Sequence, residues 1–222
     1  MQSVTLSESI EMYLKSLAEL RADEPVAIAR LAERVGVTQV SANEMVRRLV
    51  EQTFVSHLPY KGVLLTPKGE QVAYSVIRRQ KLWECFLSQH LHIAWPQLYE
   101  LACDLEHATA PQVTEALDIF LGHPQTCPHG HPIPAADGSF SPLAGVPLSK
   151  LAVGDRGRVL ALLASNTELF RYLHDRGLLP GAELTVQEIA PLQGPLTLQL
   201  DGQEIVIGRR VAELVLVRTN DQ

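Results

Sequence analysis

The chain has 222 residues, enough for one and a half to two average domains, and 46% of them are hydrophobic, which excludes an intrinsically disordered protein. No apolar run reaches the ~18 residues of a membrane span, no signal peptide is evident, and three widely spaced cysteines indicate a reducing, cytoplasmic location. The formal charge of −6, with 25 acidic and 19 basic residues, argues by itself against a nucleic-acid-binding protein.

The first 124 residues are predicted to form six helices and one hairpin. Apolar residues recur with a helical period from Ile10 to Leu20, and a short second helix is predicted over about residues 26–35, ending at Gly36. Thr38 is predicted to cap a third helix, and two apolar runs then flank a turn at residues 59–62, which is typical of a hairpin. Three further helices are predicted to begin at Pro67, Pro96 and Pro111.

The remaining residues are predicted to form a loop and a small β domain. Prolines and glycines crowd residues 122–147, where a helix cannot continue. Five strands are predicted with one short helix among them, and Asp201-Gly202 is a strong hairpin signal, which together indicate a small SH3-like barrel. The fold class is therefore mainly α with a small β domain. Three domains are predicted, over residues 1–72, 73–124 and 148–222, and residues 125–147 are predicted to be a linker between the second and the third.

The second and third helices, followed by the hairpin, have the order of a winged helix-turn-helix. The third helix would enter the major groove of DNA, and basic or aromatic residues at its end, at the wing and beyond it suit contacts with phosphates. Residues 38–68 carry four bases against two acids. The alternatives are a helical core with a solvated polar face and a protein-binding winged helix. The predicted contact residues are Thr38, Gln39, Ser41, Asn43, Glu44, Arg47, Arg48, Tyr60, Lys61 and Lys68.

Two runs of the sequence carry side chains that commonly bind metals. Cys103, Glu106 and His107 share one helical face and can converge on one point, and a thiolate, a carboxylate and an imidazole together are a metal-ligand set. The alternative is a packed cysteine beside a surface Glu–His pair. Cys127 and His129 form a second concentration of donors, for which the alternative is an incidental histidine-rich loop.

These motifs together resemble the diphtheria toxin repressor family of metal-dependent transcriptional regulators. The resemblance is carried by Glu11-Met12-Tyr13-Leu14, by the hairpin and its continuation to Gly69, by Cys103-x-x-Glu106-His107, and by the run from Cys127 to Pro134. It covers essentially the whole chain and implies a winged helix-turn-helix, a helical dimerisation domain and a C-terminal FeoA-type barrel.

The resemblance implies a primary metal site made of Met12, Cys103, Glu106 and His107. Met12 belongs to the DNA-binding part and the other three to the dimerisation part, so a bound metal would fix the spacing of the two recognition helices in a homodimer.

The resemblance also implies a second site. The iron-responsive branch uses two histidines, which Gln80 and Tyr99 replace here, beside a glutamate at Glu84. Barrel-containing manganese-type members use instead the glutamate, a cysteine and a histidine, which correspond to Glu84, Cys127 and His129. An acid from the barrel completes that set, and Glu168 is the candidate.

The two sites favour different metals. Met12 and Cys103 match the iron branch, whereas the loop residues match the manganese type, so Mn(II) and Fe(II) both stay open, and Zn(II), Co(II) and Ni(II) are expected to bind in vitro. The predicted function is a metal-dependent, DNA-binding repressor of metal-uptake genes that binds operator DNA as a homodimer. The alternatives are a winged-helix regulator of an organic ligand and a mononuclear metalloenzyme. If part of the acidity serves to bind cations, the net charge no longer argues against DNA binding.

Overall fold

A computed structural model describes residues 6–20, 24–141, 143–163 and 166–219 of the chain. The chain divides into two compact units, one made of residues 1–79 with 134–140 and the other of residues 80–133 with 141–222. None of the helices in the described ranges combines the length and the apolar character that a bilayer crossing needs.

The described residues of the first unit form three helices, the beginning of a fourth and a two-stranded hairpin. Its elements are α1 (Glu8–Leu20), α2 (Ile28–Val35), α3 (Gln39–Glu51), β1 (Val55–Leu58), β2 (Gly62–Leu65) and the start of α4 (Pro67–Gln89). The strands pair antiparallel. Leu14 and Leu17 of α1 pack in one core with Leu31 of α2, Leu49 of α3 and Val63 of β2. The predicted helix-turn-helix and wing are confirmed.

Local sequence signals account for the ends of these helices. Gly36 has a φ of 76° and ends α2, and Thr38 Oγ1 accepts a hydrogen bond from Ser41 N at 3.2 Å to cap α3. Thr66 Oγ1 likewise accepts from Gly69 N at the start of α4. Only the start of α2 differs from the prediction: Val26 is not helical, because it pairs with Val63 of the hairpin.

The described residues of the second unit form the end of α4, four further α-helices, two short 3-10 helices (Trp95–Gln97 and Leu148–Lys150) and a six-stranded sheet. The α-helices are α5 (Leu98–His107), α6 (Pro111–Phe120), α7 (Thr167–His174) and α8 (Arg209–Ala212). The strands are β3 (Val146–Pro147), β4 (Arg156–Leu162), β5 (Glu183–Ile189), β6 (Leu196–Leu200), β7 (Gln203–Ile207) and β8 (Val215–Thr219). All neighbouring pairs are antiparallel, in the order β3-β8-β4-β5-β6-β7.

The predicted β domain is confirmed with two corrections. The sequence indicated five strands, whereas the two-residue β3 adds a sixth by pairing with β8, and the one-turn helix α8 was not predicted. Asp201 and Gly202 join β6 to β7 with φ values of 48° and 83°, as the hairpin signal requires. Between α6 and β3 the described residues form no helix and no named strand, which agrees with the proline-rich loop.

Candidate functional site

The predicted DNA-reading surface lies on α3 and on the hairpin. Ala42, Val46 and Leu49 bury one face of α3 in the core of the first unit, so the polar residues between them face solvent. All ten residues predicted to contact DNA are exposed: Thr38, Gln39, Ser41, Asn43, Glu44, Arg47, Arg48, Tyr60, Lys61 and Lys68. The surface is thus available to a large ligand such as the DNA major groove.

The structure adds two observations about this surface. Lys68 Nζ donates to Gln52 O at 2.8 Å and lies 4.4 Å from the centroid of the Phe54 ring, so its charge stabilises the C-terminal end of α3. Val40, which the sequence analysis did not single out, is 70% exposed in the first turn of α3. An exposed valine there can make apolar contact with a thymine methyl group, and its place beside Gln39 was the available signal.

The tip of the hairpin is held in place by its backbone. Gly62 has a φ of 130°, and a Cβ atom there would lie 2.4 Å from Val26 O, so only glycine permits the pairing of Val26 with Val63. The adjacent Tyr60 has a φ of 64° and is fully exposed. The turn therefore carries Tyr60 and Lys61 away from the core.

The α5 set consists of Cys103, Glu106 and His107. Glu106 is fully buried, whereas Cys103 and His107 are partly exposed. His107 Nε2 lies 3.6 Å from Glu106 Oε1. In the described residues, the ligand atoms of these three do not come as close together as those of the loop cluster described below. Met12, the fourth residue of the implied primary site, lies on α1 of the other unit and is partly exposed.

Gln80 of α4 adjoins this set. Its Nε2 donates to Cys103 Sγ at 3.1 Å, and the residue is fully buried. Gln80 Oε1 has no hydrogen-bond partner among the described residues. A buried amide oxygen without a partner is costly and is a metal ligand in its own right, so Gln80 fits a place in or beside a cation site.

The loop cluster consists of Glu84, Cys127 and His129. Glu84 comes from α4 and the other two from the proline-rich loop, and all three are buried. Their ligand atoms all lie within 4.8 Å of one another, and no other group of three Cys, His, Asp or Glu in the described ranges does so. The chain by itself therefore assembles three donors at one point.

The loop is held against the barrel by its backbone. Cys127 N donates to His131 O, and Gly130 N to Cys127 O, both at 2.9 Å, which closes a tight turn around His129. Gly130 has a φ of 85°, and a Cβ atom there would lie 1.9 Å from Leu160 O of β4. His131 Nε2 also lies 2.7 Å from Leu162 O, to which it can donate. These contacts fix the positions of both loop ligands.

His129 is oriented by contacts with both of its ring nitrogens. Its Nδ1 lies 2.9 Å from Glu84 Oε2, and its Nε2 lies 3.3 Å from the carbonyl oxygen of Trp95. The ring stacks on Phe170 with a centroid distance of 4.0 Å. This geometry directs Nδ1 toward the cluster and leaves Nε2 within reach of a carbonyl oxygen to which it can donate, the kind of contact that commonly orients metal-binding histidines.

Charge shapes the same cluster. Burial by itself raises the pKa of Glu84, but the Lys81 ammonium and His129 outweigh that effect and hold the pKa below its usual range. Burial, together with the nearby Glu84 carboxylate, raises the pKa of the Cys127 thiol well above its usual value. Cys127 is therefore a neutral thiol at pH 7 and becomes a thiolate ligand only in exchange for its proton.

The donor set fits a transition-metal ion. One carboxylate, one thiolate and one imidazole supply oxygen, sulfur and nitrogen, a combination that suits first-row transition metals rather than Mg(II) or Ca(II). The expected acid from the barrel is not brought to this point: Glu168 lies in the first turn of α7 with an exposed side chain, and its carboxylate is outside the group. The physical reason is that Glu168 sits on the solvent side of α7, whose Phe170 packs inward against His129.

Two residues of the cluster were missed by the sequence analysis. Lys81 precedes Glu84 by one helical turn, and this spacing on a predicted helix was a usable signal. Trp95, whose carbonyl oxygen faces His129 and whose indole nitrogen donates to Pro128 O at 3.1 Å, had no comparable signal, because both contacts are distant in sequence.

Comparison with known proteins gives similarity along nearly the whole chain. Residues 5–63 match the N-terminal DNA-binding domain of iron-dependent repressors, residues 66–135 their metal-binding and dimerisation domain, and residues 146–219 the FeoA domain. The iron-dependent repressor IdeR of Mycobacterium tuberculosis (strain ATCC 25618 / H37Rv) is 28% identical over 214 residues, which cover 90% of this chain and 92% of that protein.

Two further relatives agree with these matches. The diphtheria toxin repressor of Corynebacterium glutamicum is 27% identical over 223 residues, or 96% of either protein. A solved structure of a manganese-dependent transcriptional repressor in complex with manganese is 31% identical, with a TM-score of 0.87 over 95% of this chain and 99% of that one.

Proposed function

The chain belongs to the diphtheria toxin repressor family of metal-dependent transcriptional regulators, and on this premise we propose that it is a homodimer that represses metal-uptake genes when Mn(II) or Fe(II) is bound. Members of this family are transcriptional repressors, so the metalloenzyme alternative is set aside. The proposed partner is operator DNA, and the proposed location is the cytoplasm, where promoter DNA lies.

The observation that carries the proposal is the buried loop cluster on a chain that also exposes a recognition helix. A buried carboxylate, thiol and imidazole whose ligand atoms lie within 4.8 Å of one another match the ligand set of a transition-metal cation. Bound there, a divalent ion supplies positive charge that satisfies these donors. Glu84, Cys127 and His129 then hold the loop to α4. We keep Glu168 as a fourth ligand only in the event that α7 rearranges.

The second proposed metal site is the primary set of Met12, Cys103, Glu106 and His107. Its support is the family resemblance together with the buried carboxylate of Glu106 and the open Gln80 Oε1 beside Cys103. Cys103 and Met12 are soft donors that favour Fe(II) over Mn(II), whereas relatives of either metal requirement resemble the chain. We therefore propose that both ions activate the protein in vitro.

Exposed apolar residues on α6 support the proposed dimer. Ile119 is 66% exposed and Phe120 61% exposed, and Val113 of the same helix is 46% exposed. Such residues on one helix of the dimerisation part are typical of a surface that a second copy covers. In that dimer the two α3 helices would read half-sites about 34 Å apart on the DNA.

Within each half-site, we propose that the residues divide by role. Gln39, Ser41 and Asn43, with Thr38 and Glu44, lie at the N-terminal end of α3 and contact base edges. Arg47, Arg48, Tyr60 and Lys61 contact phosphates, and Lys68 adds its charge while it holds the end of α3. We also propose that the chain divides at residues 72, 124 and 147 into a DNA-binding domain, a dimerisation and metal-binding domain, a linker with metal ligands and a FeoA-type domain.

A gel-shift experiment tests the proposal. A duplex selected from a random-sequence library by the Mn(II)-loaded full chain is titrated with protein in Mn(II), Fe(II), Zn(II) or chelator. We expect a shift only when metal is present. Gln39→Ala should weaken the shift about tenfold without changing metal binding, whereas Gln203→Ala, at an exposed position on β7, should leave it unchanged.

Two further variants test the primary site. Glu106→Ala should abolish the metal-dependent shift, and Met12→Asp should move the preference from Fe(II) toward Mn(II), because a carboxylate is the harder donor. A shift of equal affinity in chelator and in metal contradicts the proposal. If a calorimetric titration of the protein with Mn(II) or Fe(II) then also shows no tight binding, the winged-helix regulator of an organic ligand becomes the better interpretation.

A further inference from the structure

Lys81 is a buried cation that touches the loop cluster. It lies on α4 one turn before Glu84, is 5% exposed, and donates from Nζ to Glu84 Oε1 at 2.8 Å. The ammonium also lies 5.6 Å from the centroid of the Tyr99 ring. A buried ammonium is costly unless it is paired, so the Glu84 carboxylate is what makes this position tolerable for a lysine.

Both carboxylate oxygens of Glu84 are occupied in this arrangement. Oε1 accepts from Lys81, and Oε2 lies 2.9 Å from His129 Nδ1. The positive charge of Lys81 also acts on Cys127, whose thiol pKa it lowers against the larger effects of burial and of Glu84. The lysine is thus electrostatically coupled to two of the three residues that could hold a metal ion.

The charge balance of the cluster changes when a divalent cation is added. Without metal, Lys81 and Glu84 neutralise each other. A divalent cation held by the Glu84 carboxylate and the Cys127 thiolate is already neutralised by those two ligands, so the Lys81 charge is then in excess. Because like charges repel strongly in a buried site, Lys81 favours the metal-free arrangement and opposes the metal-bound one.

We propose that Lys81 is an internal competitor for the divalent cation: its ammonium occupies the Glu84 carboxylate in the metal-free chain and has to release it when the loop cluster binds metal. Lys81 thereby raises the cation concentration at which Glu84, Cys127 and His129 are filled. The inference rests on the proposed metal site and adds to it a residue that sets its threshold.

Cobalt titration of the full chain tests this role. In a Cys103→Ser background, thiolate-to-Co(II) charge-transfer absorption reports Cys127, since the Cys85 thiol is outside the cluster and its pKa is raised to about 12 by burial. Lys81→Met in this background should bind Co(II) on the order of tenfold more tightly or better. Lys81→Arg, which keeps the charge, should stay near the parent. Lys150→Met, at an exposed position of the same unit, should not differ from it.

A second variant covers the case in which Lys81→Met does not fold. Lys81→Gln removes the charge and keeps an N–H donor for Glu84 Oε1, and it should show the same tighter binding. A charge-transfer band with the same midpoint in the parent and in the charge-removing variants overturns the role of Lys81 and leaves the metal site standing. Weaker binding in those variants overturns it as well. Absence of the band in every protein removes the proposed loop site itself, and with it this inference.

Discussion

The loop cluster and the α5 set, both in the second unit, differ in how far the chain alone assembles them. Glu84 and His129 are 45 positions apart in the sequence, yet the ligand atoms of Glu84, Cys127 and His129 all lie within 4.8 Å of one another. Cys103, Glu106 and His107 lie within one helix of ten residues, and they remain further apart than that in the described structure. The set that is closer together in the sequence is therefore not the one whose ligand atoms are closer together in space.

The difference follows from what surrounds each set. In the loop cluster, Lys81 and the Trp95 carbonyl already engage the donors, so their positions are fixed without a metal ion. Beside the α5 set, Gln80 Oε1 is buried without a partner among the described residues. A prearranged site suits a structural role, whereas an incomplete one suits a switch that responds to metal.

The largest effect is expected from Glu84→Gln, which removes the counter-charge of Lys81. Breaking a buried ion pair from one side costs about 3–5 kcal/mol, so the free energy of unfolding of the metal-free chain should fall by that amount at pH 7. Urea denaturation measures it, with the exposed Glu188→Gln as a control that should change stability by less than about 0.5 kcal/mol.

The pH dependence of that loss gives a second readout. The folded chain holds the pKa of Glu84 below its ordinary value of 4.5, so the stabilisation is complete above that pH and is lost as pH falls toward the folded pKa. The difference between the parent and Glu84→Gln should therefore narrow below pH 4.5. A difference that is small at pH 7, or that grows in acid, would show that the cluster is not held by the Lys81–Glu84 pair.

A smaller effect is expected from Gly130→Ala, which disturbs the loop without touching a ligand. The added Cβ would lie 1.9 Å from Leu160 O, and the φ of 85° is itself unfavourable for alanine. Together these should lower the free energy of unfolding by about 3 kcal/mol and weaken Co(II) binding at Cys127.

Gly202→Ala separates strain from close contact. Its φ of 83° is nearly the same, but nothing lies within 4 Å of the new Cβ, so it should cost only about 1 kcal/mol and leave metal binding unchanged. Equal losses in the two variants would mean that the approach of the loop to β4 is not what positions Cys127 and His129.

The sequence predicted more of the fold than of the site. Periodicity, capping residues and turn signals located α1 to α6, the hairpin and five strands, because these signals are local. The strand β3 escaped, since its two residues are defined only by pairing with β8, about 70 positions later. In the site, Cys127 and His129 stood out by spacing, but their meeting with Glu84 came only from family resemblance, and the partners of His129 depend on tertiary contacts.

The smallest of these effects is expected from Gln80→Leu, which acts beside the α5 set. Leucine keeps a similar volume, removes the unpartnered Oε1 and removes the Nε2 donor to Cys103. Loss of an unpaired buried acceptor offsets loss of a weak N–H···S hydrogen bond, so the metal-free stability should change by less than about 1 kcal/mol.

The metal requirement should respond more than the stability does. Residues that support a metal ligand typically contribute at least about tenfold to affinity, so Gln80→Leu should raise the Mn(II) concentration for half-maximal DNA binding about tenfold, equivalent to about 1.4 kcal/mol. Fluorescence anisotropy of labelled operator DNA measures this midpoint, with the exposed Gln89→Leu on the same helix as the control. If the midpoint stays unchanged while Glu106→Ala abolishes binding, the α5 set works without Gln80. The unpartnered Gln80 Oε1 would then not be the feature that makes the α5 set a metal-responsive switch and the loop cluster a prearranged site.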